Sequence, residues 1–499
     1  MSVLSAGLAG IAEEMGAALI RSAYSSNIKE RRDCSTAIFD ARGRLVAQAE
    51  HIPVHLGAMP EAVAAVIERD PRPGDAFILN DPYKGGTHLP DITVVTPCVY
   101  DEKIVGYAIA RAHHSDVGGM RAGSMPSDSR EILQEGLVLP PLRLMTGGRV
   151  VEDVMRLLLA NVRTPDIRRG DLRAQLAAND LGARRLADLL ERRGLDLISR
   201  AFDEVIAYTE RRARARIREL PDGVYEARDV MEGDGTSDDD ILVAVRVTVD
   251  DDELTIDFEG TADAVAGNVN CPLSVTRSAC YFALRVLLAT DVPANAGVLL
   301  PVEISARKGS VVNAQPPSAV VAGNVETSQR IADTVLLALS QAVELPAQGQ
   351  GTMNNLVIGG SGWTYYETIG GGQGASEAGP GPSGVHVGMS NTLNTPIEAL
   401  ELEYPLRIER QQLALGSGGR GRHRGGDGIE RAVRVLVDAS VSLVTDRRRH
   451  APKGARGGGD GRAGQNRLND EELPSKVDVR GTAGDVVSVV TPGGGGWGD

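Results

Sequence analysis

At 499 residues the chain exceeds what one ordinary core serves, so two or three packed domains are expected. Aromatic residues make up only 3%, which leaves Val, Leu, Ile and Ala to build the core, while 59 glycines and 25 prolines call for many turns. A formal charge of −14 argues against a general nucleic-acid binder, and no apolar run is expected to reach the length of a membrane span.

In chain order, helical patterning predicts a helix over 5–24, with Glu13 and Glu14 interrupting its apolar stretch. That interruption and the lack of a basic start do not read as a signal peptide, so a cytoplasmic location is expected. The four cysteines show no Cys-x-x-Cys spacing and read as free thiols in a reducing compartment. A β-hairpin is predicted at 36–47, a helix at 57–69 ended by Asp70-Pro71, and strands near 76–80, 92–100 and 103–112. Residues 150–219 turn Leu-, Ala- and Arg-rich with helical spacing, and Pro221-Asp222-Gly223 breaks the run. A second β region includes 241–249 and 254–258, with helices at 274–289 and 325–343. The last third is punctuated by glycine runs at 370–374, 419–426 and 493–498, which read as turns and backbone crossings, or in the tail as a flexible end. The fold class is therefore α+β and multi-domain, with antiparallel or mixed sheets around a helical segment near 150–219. The expected divisions are 1–149, 150–220, 221–350 and 351–499.

Of eight histidines, three fall in two neighbouring segments that also carry aspartates: Asn80 to Asp91, and Arg111-Ala112-His113-His114-Ser115-Asp116. The strands 92–100 and 103–112 form a hairpin, and a turn centred near Glu102 places Asp91 opposite His113. A slip of one residue would send the two side chains to opposite faces. His88 enters from the preceding loop, where Pro90 disfavours a helix, and His114 points away from His113 in an extended chain. Two imidazoles and a carboxylate make a divalent-metal site suited to Zn, Mn or Fe, and an open position on such a metal lowers the pKa of bound water to about 7. The competing reading has these histidines capping strands. His114 and Asp116 are candidates to orient a ligand, and Asp81 is a turn former and a further catalytic candidate. His51 and His55 serve packing or substrate contact. No phosphate loop or nucleophile elbow occurs.

The runs Asn27 to Asp33, Ala49 to Gly57, Asn80 to Asp91, Tyr366 to Gly372, Asn391 to Glu398, Leu473 to Lys476 and Thr491 to Asp499 resemble the hydantoinase B/oxoprolinase family across essentially the whole chain. The resemblance implies a metal-bearing subunit that works with a hydantoinase A-type partner. That partner binds ATP and Mg and phosphorylates the substrate, a hydantoin, 5-oxoproline or lactam. It also implies His88, Asp91 and His113 as metal ligands, adds Glu30 as a fourth, and makes a hetero-oligomer the expected state. His386 is a substrate-contact candidate, but where the family's run carries a second histidine this chain has Gly388. An ATP-dependent ketone carboxylase subunit, an iron oxygenase and a non-catalytic structural subunit are the alternatives.

Overall fold

In the computed structural model, which describes residues 2–50, 52–55, 57–288 and 291–499, the apolar runs of the first 150 residues join into one seven-stranded antiparallel sheet. Its strands are β1 (Cys34–Asp40), β2 (Leu45–Glu50), β3 (Ala76–Leu79), β4 (Asp91–Tyr100), β5 (Lys103–His113), β6 (Leu142–Thr146) and β7 (Arg149–Val150). They lie in the order β2-β1-β5-β4-β3-β6-β7. Alternation along β5 decides which face each side chain serves. Ala108, Ala110 and Ala112 pack in one core with Leu8, Met15 and Leu19 of helix α1 (Ser2–Ser22). Tyr107 and Ile109 pack on the other face, against Met59, Val63 and Val66 of α3 (Met59–Ile67); α2 is the short turn Ser26–Lys29. Contrary to the expectation that no apolar run is long enough to span a membrane, α1 is long and apolar enough by length and composition, but its buried apolar residues belong to this core.

The hairpin register carries a correction to its expected cause. Asp91 does face His113, but the turn is the two-residue Asp101-Glu102, with φ of 50° and 58°. An uninterrupted ladder from that turn would place Ala112 opposite Asp91. Val105, unpaired in a bulge between Ile104 and Gly106, supplies the missing residue and restores the Asp91–His113 pairing.

The Leu- and Ala-rich segment forms α4 (Glu152–Ala160), α5 (Pro165–Arg193) and α6 (Leu195–Ile217). Beyond the Pro221 break, β8 (Gly223–Glu232), β9 (Asp240–Asp250), β10 (Glu253–Asp257) and β11 (Val302–Ser305) make a four-stranded mixed sheet. Helices α7 (Leu273–Leu287) and α8 (Ser328–Leu339) share its core. A π-helical turn at Gly323–Thr327 precedes α8. Arg330, fully buried, joins this region to the last third, with Nη1 3.1 Å from Asp229 and Nη2 3.2 Å from Asp446.

The glycine-rich third holds two sheets and a short helix, α9 (Ile397–Glu403). One sheet runs β13 (Trp363–Thr368), β12 (Asn355–Gly360), β16 (Ala439–Val444), β19 (Lys476–Gly481). The other runs β14 (Leu406–Ala414), β15 (Gly428–Val435), β20 (Val486–Val490), β17 (Gln465–Leu468), β18 (Glu471–Leu473). The tail is not a loose end. The three glycine runs cross backbone to backbone, Gly494 N donating to Gly426 O and Gly419 N to Gly494 O. A Cβ at Gly372 would lie 2.0 Å from Gly426 O and 2.3 Å from Gly494 N, so only glycine permits this crossing.

The loop that carries His88 is anchored by Asn80, whose Nδ2 donates to Leu89 O and Leu137 O and whose Oδ1 accepts from Leu139 N. Asn80→Ala strands these buried groups and should lower unfolding free energy by about 2–3 kcal/mol, read by chemical denaturation. An unchanged midpoint would show that the loop is held by other contacts.

Candidate metal centre

Neighbouring strands bring three acidic or imidazole side chains to one end of the first sheet. β1 pairs with β5 so that Cys34 faces Ala112, and His113 N donates to Asp33 O, which sets Asp33, His113 and Asp91 side by side across β1, β5 and β4. His88 reaches the same point from the turn before β4, where Asp91 N donates to His88 O. His88 Nε2 lies 3.1 Å from Asp91 Oδ1 and 3.2 Å from His113 Nδ1, and His113 Nδ1 lies 3.2 Å from Asp91 Oδ1. All three residues are buried.

This triangle is poorly satisfied by hydrogen bonds alone. His88 Nδ1 donates to Val321 O at 3.2 Å, so in the neutral ring Nε2 carries a lone pair aimed at a carboxylate oxygen. Two acceptors 3.1 Å apart call for a positive charge between them. Burial opposes protonation of His88, but the charge and hydrogen bond of Asp91 outweigh it and raise the imidazole pKa. A cation would serve equally: tetrahedral bonds of about 2.0–2.1 Å give ligand–ligand edges of about 3.3 Å, close to the edges found here.

The second oxygen of Asp91 is held by three donors: Thr87 Oγ1 at 2.6 Å, Asn324 Nδ2 at 3.3 Å and His55 Nε2 at 3.3 Å. His55 is itself tied through Nδ1 to Ser35 Oγ at 3.0 Å. Burial opposes ionisation of Asp91, yet the charges of His88 and His55 and the hydrogen bonds from His113 and His55 hold it well below the usual carboxylate range. For His113, burial wins and lowers the pKa. Its ring stacks on Tyr366, with centroids 4.4 Å apart and planes 13° apart. Arg31 fixes Tyr366 in turn, donating to its carbonyl at 2.7 Å and lying 5.0 Å from the ring centroid. Arg31 also donates to Thr368 and Thr392, linking the N-terminal segment to the C-terminal third.

A cavity of about 20 Å³ adjoins the triangle, lined in part by Asp33, His55, Asn324, Tyr366, Ser390 and Thr392. Beside it lies a cavity of about 650 Å³, with Phe282, Leu336, Leu337, Gln348 and His386 in its wall; Ser390 borders both. His386 Nδ1 is 2.7 Å from Ser390 Oγ, and burial, with Arg31 adding, pushes its pKa down to about 3. Gly388 also lines the larger cavity, with φ of 67°.

The remaining sequence candidates fall elsewhere. Glu30 sits half-buried at the end of α2 with its charge bearing on Glu403, outside the small cavity; Asp33, three residues on, lines it instead. His114 points to the other face of the sheet, where Nε2 meets Gln175 of α5 at 2.9 Å, and burial lowers its pKa to about 4. Asp116 braces a loop, accepting from Gly118 N, Gly123 N and Arg163. Asp81 accepts from Tyr83 N and caps the turn Pro82–Lys84, the structural job its Asn-Asp-Pro setting suggested. His51 lies outside the described residues. Asp33, Tyr366 and Asn324 were missed, because no local spacing relates them to the histidines; the adjacency of β1 and β5 would have found Asp33.

Known proteins are similar to this chain over its whole length. A solved ATP-dependent caprolactamase from Pseudomonas jessenii superposes with a TM-score of 0.93 at 29% identity, covering 100% of this chain and 90% of that one. A protein of Pseudomonas sp. strain NS671, named as a candidate B-type component of a D-/L-hydantoinase, is 34% identical over 532 residues, covering 100% of this chain and 89% of the relative. 5-Oxoprolinase 1 of Arabidopsis thaliana is 38% identical over 528 residues, and there this chain spans only 41% of the relative's length. The hydantoinase B/oxoprolinase family matches residues 1–499, and this chain belongs to it.

Proposed function

We propose that the chain is the metal-dependent part of an ATP-dependent cyclic amidohydrolase. It opens a hydantoin, 5-oxoproline or lactam ring after a hydantoinase A-type partner has phosphorylated the carbonyl oxygen. The observation that carries this is the convergence of His88 Nε2, Asp91 Oδ1 and His113 Nδ1 within 3.1–3.2 Å of one another in a buried site. The donor set of two nitrogens and one oxygen suits Zn, Mn or Fe, with Asp33 the carboxylate best placed to join it. Such a metal would supply Lewis-acid chemistry and acidify water at neutral pH.

The protein groups around it divide the labour. Val321 O fixes the tautomer of His88 so that Nε2 faces the site. Thr87, Asn324 and His55 occupy the outer oxygen of Asp91 and leave Oδ1 for the cation. The stacked Tyr366 holds the ring of His113. The larger cavity accepts the body of the substrate against Phe282, Leu336 and Leu337, with His386 and Ser390 at the passage to the small one. Over the cycle one ring amide, ATP and two waters give the open amino acid, ADP and phosphate. One water adds to the phosphorylated carbonyl carbon and the ring C–N bond breaks, leaving an acyl phosphate that the second water hydrolyses to the carboxylate and phosphate. Support for a separate partner comes from the relative named as one component of a hydantoinase and from the 41% share of the longer 5-oxoprolinase. No observation favours ketone carboxylation over ring opening.

Co-expressed with its A-type partner, the chain should carry about one metal per copy and release phosphate in step with ring opening of a lactam, hydantoin or 5-oxoproline. His88→Ala and His113→Ala should each empty the site and lower turnover by about a thousandfold or more. His114→Ala should keep the metal and the rate per folded molecule while costing about 1–3 kcal/mol of stability. Ring opening at the wild-type rate in metal-free His88→Ala would refute the proposal.

A further inference from the structure

One buried polar atom beside the metal centre has no role in holding it. Asn324 is the second residue of the π-helical turn Gly323–Thr327 and is 3% exposed. Turns of this kind insert an extra residue into a helix and recur at functional sites. Here the turn is locked, since a Cβ at Gly323 would lie 1.9 Å from Asn270 O. Asn324 and Val325 both line the small cavity.

The amide of Asn324 has one possible orientation. A carboxylate only accepts, so Nδ2 must be the end that faces Asp91 Oδ2 at 3.3 Å. Oδ1 is then the other end, and among the described residues no protein group donates to it although it is buried. Holding Asp91 does not require this amide. Thr87 donates to the same carboxylate oxygen at 2.6 Å and His55 adds a contact at 3.3 Å. An undonated buried amide oxygen is destabilising, so an arriving donor is its natural explanation. The adjoining space of about 20 Å³ is too small for a ring amide and is enough for one water, which needs about 10–15 Å³ and polar partners.

We propose that Asn324 Oδ1 accepts a hydrogen bond from the water that attacks the substrate, and so fixes the direction of the attacking lone pair. This rests on the hydrolytic reading above. Asn324 is thereby a catalytic residue in its own right, distinct from the groups that only steady Asp91.

The test compares Asn324→Leu with Thr87→Val, which removes a donor from the same oxygen of Asp91 but no acceptor from the cavity. Metal affinity is titrated for both. Crystal structures of the metal-loaded chain are examined for a water about 2.6–3.2 Å from Asn324 Oδ1. Lactams with and without an N-methyl group are assayed with the partner present. The expected result is an ordered water at Oδ1 in the wild type and none at that position in Asn324→Leu. In Asn324→Leu the kcat per bound metal should fall by about a hundredfold for both lactams with KM within about threefold, and in Thr87→Val, which only loosens Asp91, it should fall at least about tenfold less. Equal behaviour of the two variants would overturn the proposal, leaving Asn324 as a support for Asp91. So would a loss confined to N–H lactams, or a metal ion bonded directly to Oδ1. Absence of lactam, hydantoin and 5-oxoproline turnover in the wild type would strike the proposed function, while the crystal water still decides the hydrogen bond.

Discussion

Asp91 is an ionised carboxylate 1% exposed to solvent, and its burial is the constraint around which this structure is organised. An isolated charge at such depth would cost several kcal/mol, so it must be met on every side. One oxygen is satisfied by Thr87, Asn324 and His55; the other faces two imidazole nitrogens that cannot both donate to it and to each other. The arrangement is thus complete on its outer side and short of positive charge on its inner side. That asymmetry favours a cation there over a pair of strand-capping histidines.

The groups around Asp91 come from segments far apart in the chain. Asp33 and His113 come from strands beside it, His55 from the turn after β2, Asn324 from the π-helical turn, and Tyr366 from β13. Arg31 ties the first of these segments to the last through Tyr366, Thr368 and Thr392. The glycine crossings brace the C-terminal third internally and the buried Arg330–Asp446 pair ties it to α8, which holds the wall that carries Tyr366 and Ser390 in place. The two cavities then sit at the seam between the first sheet, α8 and that wall.

Much of the hairpin at the heart of the site could be read from the sequence because its information is local. Alternation, a short polar turn and Pro90 were enough to pair Asp91 with His113 and to bring His88 near them. Even there the agreement hid two compensating details, a turn centred half a residue earlier and a bulge at Val105. His114 separated from His113 as the two-residue period of a strand demands. What failed was non-local. Family resemblance suggested Glu30, whereas the strand pairing of β1 with β5 brings Asp33 to the cavity. Asp116 carries an acidic group next to the histidines in sequence, yet backbone N–H groups of its own loop claim it. Asn324 lies more than two hundred residues from Asp91, and no composition or period marks it. The glycine runs showed close crossings but not which backbones cross.

The central claim is that a single divalent cation sits between His88, Asp91 and His113. Anomalous diffraction at the absorption edge of the metal found in the purified chain tests it most directly. The account predicts one strong peak about 2.0–2.3 Å from His88 Nε2, Asp91 Oδ1 and His113 Nδ1. A stoichiometric metal located elsewhere, with the three side chains left in direct contact with one another, would contradict it.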